Sequence, residues 1–377
     1  MLKRFEVENY RGFKTKLIWD FSQTRDYEYN TSLVSNHISK HSVLYGKNGS
    51  GKTSLSYALL DLTNHLIDKQ KILIPEQFYT YVGNESKIAT FTYEFLLDNN
   101  NITYSYQKNN YGDLLMESLF LNKKEIVHHD FCDESTNFIK IKEAKTLRTT
   151  GLPKQLSVIK FIFNNTILSH DSPIVLLMNF VSGMLSFRSM RQINEYVGYK
   201  LGGEPLEDII IRNNKIKEFN EFLRKCGLNY TLEKAVHPNG RQIIAVKFEN
   251  GILVPITEIA SSGTNTLMLY YCWLLDFKNI TFVVIDEFDA YYHYEVSEML
   301  LKIINSYDNL QSVVSTHNIT LLSTQETRPD CAYILDENGV VNLSNRTNKE
   351  LRKHNNIEKM FREGEFESKE GIQMKYK

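Results

Sequence analysis

The 377-residue sequence is poor in cysteine and proline, and neither sign of charge is in excess. The four cysteines, Cys132, Cys226, Cys272 and Cys331, form no C-x-x-C pair, which argues against structural zinc and favours a reducing compartment. The seven prolines are too few for long disordered linkers. A formal net charge of −1 gives no global attraction to nucleic acid or to an anionic membrane, although a local basic patch remains open.

Long apolar runs are also missing. The first nine residues contain no apolar core of the kind that secretory signal peptides carry. The most apolar stretch, residues 173–187, is shorter than a membrane-spanning helix and includes Asn179, so we expect a buried helix there. The sequence therefore predicts a cytoplasmic protein with no membrane segment.

The most informative stretch is Gly-Lys-Asn-Gly-Ser-Gly-Lys-Thr at residues 46–53. It fits the phosphate-binding loop pattern G-x-x-x-x-G-K-[ST] and lies between an apolar run (42–45) and a helix-like segment (53–66), the context that this loop requires. The alternative, a glycine-rich turn that carries a lysine by chance, is disfavoured by that context. Lys52 is expected to reach the β- and γ-phosphates and Thr53 to bind Mg²⁺. The full set of expected nucleotide contacts in this loop is Lys47, Asn48, Gly49, Ser50, Gly51, Lys52, Thr53 and Ser54.

A second motif begins with a continuous apolar run at residues 280–285, which is typical of a buried parallel strand. The run ends in Asp286 and Glu287, at the strand end where open α/β sheets bind ligands. Asp286 is expected to hold Mg²⁺, and Glu287 to orient and deprotonate the attacking water. An apolar run followed by two carboxylates is common by chance, but the upstream phosphate-binding loop makes a nucleotide site the better interpretation.

A third strand is predicted at residues 311–318, one helix (295–305) beyond the second motif. His317 lies at its exit, where it could contact the γ-phosphate or the attacking water. A lone histidine is more often structural, and here the position beside the second motif favours a functional role. Between the motifs, Ser-Ser-Gly-Thr at residues 261–264 opens an apolar helix predicted over residues 265–277.

The remaining patterns define the expected organisation of the chain. Strands are predicted at residues 2–8 and 16–21, in a hairpin of residues 88–97 and 102–107, and at residues 114–121 and 124–127. Helices follow at residues 156–168, 173–187 and 206–226, and strands return at residues 230–236, 242–248 and 253–256. We predict three regions: an N-terminal lobe (1–139), a helical insertion (140–227) and a C-terminal lobe (228–377).

Basic residues are frequent in the insertion. They are Arg188, Arg191, Lys200, Arg212, Lys215, Lys217, Arg224 and Lys225. A solvated helix face is the favoured interpretation, and nucleic-acid contact is the alternative.

Together these motifs resemble the ABC-type ATPase heads of the SMC, RecF and Rad50 class. The closest resemblance is to small bacterial ATPases of antiphage and abortive-infection systems, whose heads resemble the overcoming-lysogenization-defect family. The matching segments are residues 9–13 (Asn-Tyr-Arg-Gly-Phe), the Walker A motif (46–53), the signature position (261–264), the Walker B and D-loop run (286–290, then His293), residues 315–318 with the switch histidine, and the tail (356–366). Two features depart from the family pattern. The signature is not Leu-Ser-Gly-Gly-Gln, and Gln77 is the only candidate found for the Q-loop glutamine.

The resemblance implies an α/β fold: a P-loop ABC-type ATPase head with a mixed central sheet, an antiparallel β subdomain and an inserted helical subdomain. It implies ATP and Mg²⁺ as cofactors. It also implies catalytic roles for Lys52, Glu287 and His317. The other implied site residues are Arg11 at the nucleotide, Asp289 in the D-loop, and Thr53, Asp286 and Gln77 at the metal.

The implied assembly is a head-to-tail homodimer, or a higher oligomer, in which Ser261, Ser262, Gly263 and Thr264 of one subunit face the ATP of the other. The implied function is an ATP-driven sensor or regulator in bacterial antiphage defence. It would control a separate nuclease or toxin, because few residues follow the ATPase motifs and these cannot form the nuclease domain of the larger relatives.

Three other functions compete with this one. A RecF- or Rad50-like ATPase of DNA repair or recombination would need a basic groove, and the near-zero net charge counts against it. A stand-alone toxin or nuclease would need a carboxylate cluster with metal-ligand spacing, and the insertion shows none. An ABC transporter subunit is disfavoured because the segments around Walker A and the signature resemble SMC heads.

Overall fold

The computed structural model describes residues 1–67, 78–189, 194–198, 204–323, 327–337 and 339–367. Its strands are β1 Leu2–Glu8, β2 Leu17–Asp20, β3 Val34–Ser35, β4 Ile38–Ser39, β5 His41–Tyr45, β6 Ile88–Leu97, β7 Asn100–Asn109, β8 Leu114–Leu121, β9 Lys124–Asp130, β10 Phe138–Ile139, β11 Met184–Ser189, β12 Asn194–Gly198, β13 Leu232–Val236, β14 Gln242–Lys247, β15 Leu253–Pro255, β16 Phe282–Ile285, β17 Gln311–Thr316, β18 Ala332–Asp336 and β19 Gly339–Asn342. Its helices are α1 Lys52–Leu60, α2 Thr63–Leu66, α3 Val158–Asn165, α4 Pro173–Ser182, α5 Leu206–Arg212, α6 Ile216–Lys225, α7 Ile256–Ile259, α8 Ser262–Leu274, α9 Tyr294–Asn305 and α10 Ile357–Arg362.

One seven-stranded sheet is antiparallel throughout, in the order β10-β9-β8-β7-β6-β1-β2. The predicted hairpin at its centre is confirmed: β6 and β7 pair from Ile88 and Asn109 to Leu97 and Asn100. The turn residues Asp98 and Asn99 have φ of +46° and +61°. Two successive positive φ angles match the right-handed twist of the strands, and Asp and Asn tolerate them better than most residues.

A second seven-stranded sheet has the order β12-β11-β16-β17-β5-β18-β19. Its five inner strands, from β11 to β18, run parallel, and the two edge strands pair antiparallel with their neighbours. This is the expected mixed central sheet. It brings the ends of β5, β16 and β17, which carry the three sequence motifs, to one edge.

The central sheet separates two hydrophobic cores. Phe282 and Val284 of β16 belong to the core that also contains α1, α3, α4 and the antiparallel sheet. Val283 and Ile285 belong to the other core, with α5, α6, α8 and α9. Because successive side chains of a strand point to opposite faces, a fully apolar strand can serve both cores.

The apolar run at residues 173–187 is not one helix, as the sequence predicted. Helix α4 ends at Ser182, and β11 begins at Met184 and pairs in parallel with β16. Between them, a Cβ on Gly183 would lie 2.8 Å from the side chain of Thr281, so glycine allows the close approach that starts the new strand. An apolar run alone does not distinguish a buried helix from a buried strand, and here it contains both.

The rest of the insertion also differs in detail from the prediction. The helix expected over residues 206–226 is two helices, α5 and α6, separated at Asn214, whose φ is +53°. The segment contributes helices to both cores and a strand to the central sheet. The division of the chain at residues 139 and 227 therefore stays a prediction.

The last predicted strands form a separate three-stranded antiparallel sheet, β13-β14-β15. Gly240 and Gly251, with φ of +85° and +82°, lie at its two turns. Within the described residues, no helix is long and apolar enough to cross a membrane.

Candidate functional site

The candidate site lies at one edge of the central sheet, where four parallel strands end. Strand β5 leads into the loop of residues 46–51, β16 ends before Asp286, β17 before His317, and β11 carries Arg188 near its end. Ligands in open α/β folds bind at this edge because the strand exits and the helix N-termini converge there.

The loop after β5 has the backbone conformation that its glycines predict. Gly49 and Gly51 have φ of +77° and +99°, which side chains other than glycine rarely adopt. A Cβ on Gly51 would also lie 3.3 Å from the ring of Phe13. Of the residues described, none caps the N-terminus of α1 with its side chain, so the N–H groups of the first turn and the positive dipole end are available to an anion. Ser54 lies in this first turn, and Lys47, Asn48 and Gly49 are exposed on the loop.

Lys52 is buried beneath this loop. Its Nζ donates to the carbonyl oxygens of Gly46 and Lys47, at 2.6 and 3.1 Å, and lies 3.3 Å from Nδ1 of His317. Because a protonated lysine cannot accept a hydrogen bond, Nδ1 of His317 is the acceptor in this pair. Burial lowers the pKa of Lys52, and the nearby charges of Asp286, Glu287 and Asp289 oppose that shift. The structure therefore brings together the predicted lysine and the predicted histidine from segments 265 positions apart.

Asp286 is buried and held by two hydroxyl groups. Thr53 Oγ1 donates to its Oδ2 at 2.7 Å, and Ser315 Oγ donates to its Oδ1 at 2.6 Å. Hard oxygen donors of this kind suit Mg²⁺, which proteins often bind through one or two side chains together with substrate phosphates. Among the described residues, no group of three or more His, Cys, Asp and Glu side chains could hold a metal by itself. Thr53 and Asp286 therefore fit a magnesium ion that a nucleotide would share.

Glu287 has a backbone conformation that is unusual for glutamate, with φ of +52°. Its N–H donates to Ser315 Oγ at 3.0 Å, and the next N–H, of Phe288, donates to the carbonyl oxygen of Ser315 at 3.0 Å. Strained residues of this kind persist where their surroundings hold them, and they are frequent at functional sites. The carboxylate accepts a hydrogen bond from the guanidinium of Arg188 at 3.1 Å.

Asp289 of the D-loop lies at the same sheet edge. Its Oδ2 accepts a hydrogen bond from Thr316 Oγ1 at 2.8 Å. The two hydroxyl residues before His317 therefore hold two different carboxylates: Ser315 holds Asp286 and Thr316 holds Asp289.

The signature residues form the N-terminus of α8. Ser261 is the N-cap, and its Oγ accepts the N–H of Thr264 at 3.1 Å, while Ser262 is exposed. A Cβ on Gly263 would lie 2.6 Å from the carbonyl oxygen of Tyr291, so glycine lets this helix end lie against the D-loop. In the described part of the chain, no hydrogen bond or ion pair joins these residues to the phosphate-binding loop.

Two further residues that the resemblance implies for the site are Arg11 and Gln77. The guanidinium of Arg11 lies 4.9 Å from the ring centre of Tyr57, on α1. The nucleotide contact expected of Arg11 stays a prediction. Gln77 lies outside the described residues, as do Arg191 and Lys200.

Three residues at the site were not identified from the sequence. Arg188 was expected on a solvated helix face, which is wrong, because it lies on β11 beside the Walker B carboxylates. Ser315 and Thr316 were matched to the family pattern only as neighbours of His317. The available signal was polar side chains near the ends of strands that are otherwise apolar.

A cavity of about 980 Å³ lies against the phosphate-binding loop. Its lining includes residues 12–18, the hairpin of β18 and β19, and Tyr45, Lys47, Phe361 and Phe366.

Solved structures that resemble this chain share little sequence with it. The SMC head domain from Thermotoga maritima shares 14% identity, with 90% of this chain and 98% of that chain covered and a TM-score of 0.46. An SMC head bound to the C-terminal winged-helix domain of ScpA also shares 14% identity, with 90% and 96% covered and a TM-score of 0.47. Both likenesses are too distant to bear on function, and no curated protein matches the sequence.

The sequence profile of one family matches residues 42–323, which include both nucleotide motifs and the signature segment. That family is described as an AAA domain, putative AbiEii toxin, of a type IV toxin–antitoxin system. The match spans most of the chain, including the phosphate-binding loop, Asp286, Glu287 and His317, while the segment around Arg11 and the hairpin of β18 and β19 lie outside it. The chain therefore belongs to this family of AAA-domain, P-loop ATPases.

Proposed function

We propose that the protein binds ATP with Mg²⁺ and hydrolyses it to ADP and phosphate. The observation that carries this proposal is the convergence of side chains from three separate strand exits. Thr53 is hydrogen-bonded to Asp286, and Lys52 lies within hydrogen-bonding distance of His317. A phosphate-binding loop, an acidic metal ligand and a polar side chain beyond the next strand are the parts that phosphoryl transfer to water requires.

Each residue has a definite task in this reaction. Lys52 leaves its loop carbonyls to hold the β- and γ-phosphates. His317 contacts the γ-phosphate side of the site, and Glu287 orients the attacking water and accepts its proton. A magnesium ion held by Thr53 and Asp286 would supply charge neutralisation at the phosphates. The cavity beside Tyr45, Phe361 and Phe366 offers aromatic surface to the base.

The test is hydrolysis of ATP in the presence of Mg²⁺. Lys52→Ala and Glu287→Gln should each lower the rate by about 10²- to 10⁴-fold. Glu287→Gln should still bind ATP because the carboxylate acts on water and not on the nucleotide. Glu233→Gln, on the exposed Glu233–Lys247 pair, is the matched control and should hydrolyse ATP like the wild type. Equal rates for the wild type and Glu287→Gln would reject the role of Glu287.

We further propose that ATP joins two copies of the chain head to tail. The N-terminus of α8 is an anion-binding end with Ser262 exposed, which suits a γ-phosphate held by a second subunit. Light scattering of Glu287→Gln should then show a dimer with ATP and a monomer with ADP. A mass that does not change with the nucleotide would reject this assembly.

The cellular role that we propose is regulation of a separate toxin or nuclease in antiphage defence. The description of the matched family, which names a toxin–antitoxin system, supports this setting. Cells carrying the protein with its neighbouring genes should resist phage, and Lys52→Ala should remove that resistance. Unchanged phage sensitivity, together with ATP hydrolysis that DNA stimulates and salt suppresses, would favour the DNA-repair alternative.

A further inference from the structure

Arg188 is placed at the Walker B carboxylates by the pairing of two strands. Strand β11 runs parallel to β16 with Phe187 opposite Ile285. The N–H of Asp286 then donates to the carbonyl oxygen of Phe187 at 3.1 Å, which continues the ladder by one residue. The register therefore fixes Arg188 beside the first carboxylate of the motif.

The contacts of Arg188 use only part of its hydrogen-bonding capacity. One terminal nitrogen donates to Glu287 Oε1 at 3.1 Å, and Nε lies 4.0 Å from Asp286 Oδ2. Nε is buried and has no hydrogen-bond partner among the residues that the structure describes. A guanidinium has five N–H donors in a planar fork, a geometry that matches phosphate oxygens. Arg188 can therefore accept a further anionic partner without moving its backbone.

The existing ion pair is weak enough to exchange. The side chains of Arg188 and Glu287 are 24% and 29% exposed, and pairs that reach water contribute little to stability. The same carboxylate of Asp286 that faces Arg188 is 2.7 Å from Thr53 Oγ1, in the first turn of the phosphate-binding helix. The charge of Asp286 also acts on Lys52, which lies in the same turn as Thr53. A triphosphate bound at the loop would therefore bring negative charge into the neighbourhood of both Lys52 and Arg188.

We propose that Arg188 exchanges partners when ATP binds, leaving Glu287 for the γ-phosphate. In the nucleotide-free protein the guanidinium neutralises and holds the carboxylate of Glu287. Once the γ-phosphate takes the guanidinium, Glu287 is free to orient water. This inference rests on the ATPase function proposed above, and it makes Arg188 a sensor of the γ-phosphate on the strand next to Walker B.

The experiment compares the affinities for ADP and for the non-hydrolysable ATP analogue with an imido group between the β- and γ-phosphates. The protein is titrated with each nucleotide in the presence of Mg²⁺. Because neither nucleotide is hydrolysed, the measured affinities do not depend on catalytic activity. Arg188→Ala should weaken binding of the analogue by about tenfold or more and change that of ADP less than threefold. Arg188→Lys keeps the charge but loses the planar fork of donors. Its affinity for the analogue should therefore lie between those of the wild type and Arg188→Ala. Arg212→Ala, on an exposed pair with Glu204, is the control and should leave both affinities unchanged.

A second arm tests the exchange itself. Glu287→Gln weakens the pair that competes with the γ-phosphate, so the analogue should bind several-fold more tightly than to the wild type while ADP does not. If Arg188→Ala weakened binding of the analogue and of ADP equally, the contact between Arg188 and the γ-phosphate would be rejected. An unchanged affinity for the analogue in this variant would also reject it. An unchanged affinity for the analogue in Glu287→Gln would overturn the exchange. Failure of the wild type to bind either nucleotide would instead reject the proposed ATPase function.

Discussion

Two buried aspartates lie near opposite ends of helix α1, and their partners differ. Asp61 follows α1 and is fully buried, and it accepts hydrogen bonds from Lys108 Nζ at 2.7 Å, Tyr79 at 2.8 Å and Tyr106 at 2.9 Å. Its negative charge is balanced by a lysine that is itself only 3% exposed. The carboxylate therefore needs no ligand, and its function is to hold the structure.

Asp286 is almost as buried, but its short contacts are hydroxyl groups. Thr53 and Ser315 donate to it, and the Nε atom of Arg188 is 4.0 Å away. Hydroxyl groups satisfy the oxygens without cancelling their charge, so the site retains negative charge that a cation can meet. Arg188 and Lys52 lie near Asp286, but neither forms a short ion pair with it of the kind that Lys108 forms with Asp61. A buried carboxylate that is only partly compensated is costly, and such groups are frequent where a ligand binds.

Helix α1 connects the two carboxylates. It begins at Lys52 in the candidate site and ends at Leu60, directly before Asp61, over a length of about 14 Å. The phosphate-binding loop is therefore attached to a helix whose other end is fixed to β7 by an ion pair and one phenol, and to Tyr79 by a second phenol. Rigid anchoring of this kind keeps the loop in position while its ligands change.

The largest effect on stability is expected from Lys108→Met. This change keeps most of the side-chain volume but leaves the charge of Asp61 buried without a counter-ion. Such losses cost about 3–5 kcal/mol, so the free energy of unfolding measured in urea should fall by that amount. Adding Asp61→Asn to this variant should recover part of the loss, because the unpaired charge is then removed.

The matched control is Lys247→Met, which breaks the cross-strand pair of Lys247 and Glu233. That pair has a similar length, 2.9 Å, but its side chains are 45% and 42% exposed. Its removal should change the free energy of unfolding by less than about 1 kcal/mol. Similar losses for the two lysine variants would contradict the structural role given to Asp61.

Asp286→Asn should instead affect hydrolysis strongly and stability little. Hydrolysis should fall by about 100-fold or more, because the expected metal ligand is lost. The free energy of unfolding, measured without nucleotide or Mg²⁺, should change by less than about 1 kcal/mol or rise. The hydroxyls of Thr53 and Ser315 can accept from an amide as well as donate to it, and repulsion with Glu287 and Asp289 is reduced. A loss of stability as large as that of Lys108→Met would remove the distinction between the two aspartates.

Local patterns predicted the features that depend on neighbouring residues. Alternation predicted β1 and the hairpin of β6 and β7, and the glycine-rich pattern predicted the turn before α1. The same patterns could not predict β11, because a continuous apolar run is compatible with both a buried helix and a buried strand.

The missed site residues depend on contacts between distant parts of the chain. Arg188 reaches Glu287 across 99 positions, and Ser315 reaches Asp286 across 29, through the order of strands in the central sheet. Residue types at fixed spacing specify the phosphate-binding loop, but strand order decides which side chains stand beside Asp286. The roles assigned to Lys52 and His317 follow the sequence motifs and stay predictions until nucleotide binding is measured.

A smaller effect is expected from Glu117, a third buried carboxylate, which lies on β8. Its oxygens accept from Tyr104 at 2.5 Å, Ser157 Oγ at 2.6 Å and the N–H of Val158 at 2.7 Å. Burial raises the pKa of Glu117, and the three hydrogen bonds and the charge of Lys108 only partly offset that shift. Glu117 is therefore intermediate between the other two carboxylates, since it has hydrogen bonds but no ion pair within the described part of the chain.

The pH dependence of stability tests this ranking. A raised pKa means that folded Glu117 binds a proton more tightly than unfolded Glu117. Its contribution to the free energy of unfolding is therefore largest at low pH and is lost as pH rises from 4.5, the usual value, to the folded pKa. Because residue 117 does not titrate in Glu117→Gln, the free energy of unfolding of the wild type minus that of this variant should decrease over that window and then level off. The decrease should be smaller than the loss caused by Lys108→Met. Urea unfolding of both proteins at closely spaced pH values measures this difference in the free energy of unfolding. An increase in this signed difference as pH rises would mean that the hydrogen bonds and Lys108 outweigh burial, and that Glu117 is held as a carboxylate in the same manner as Asp61.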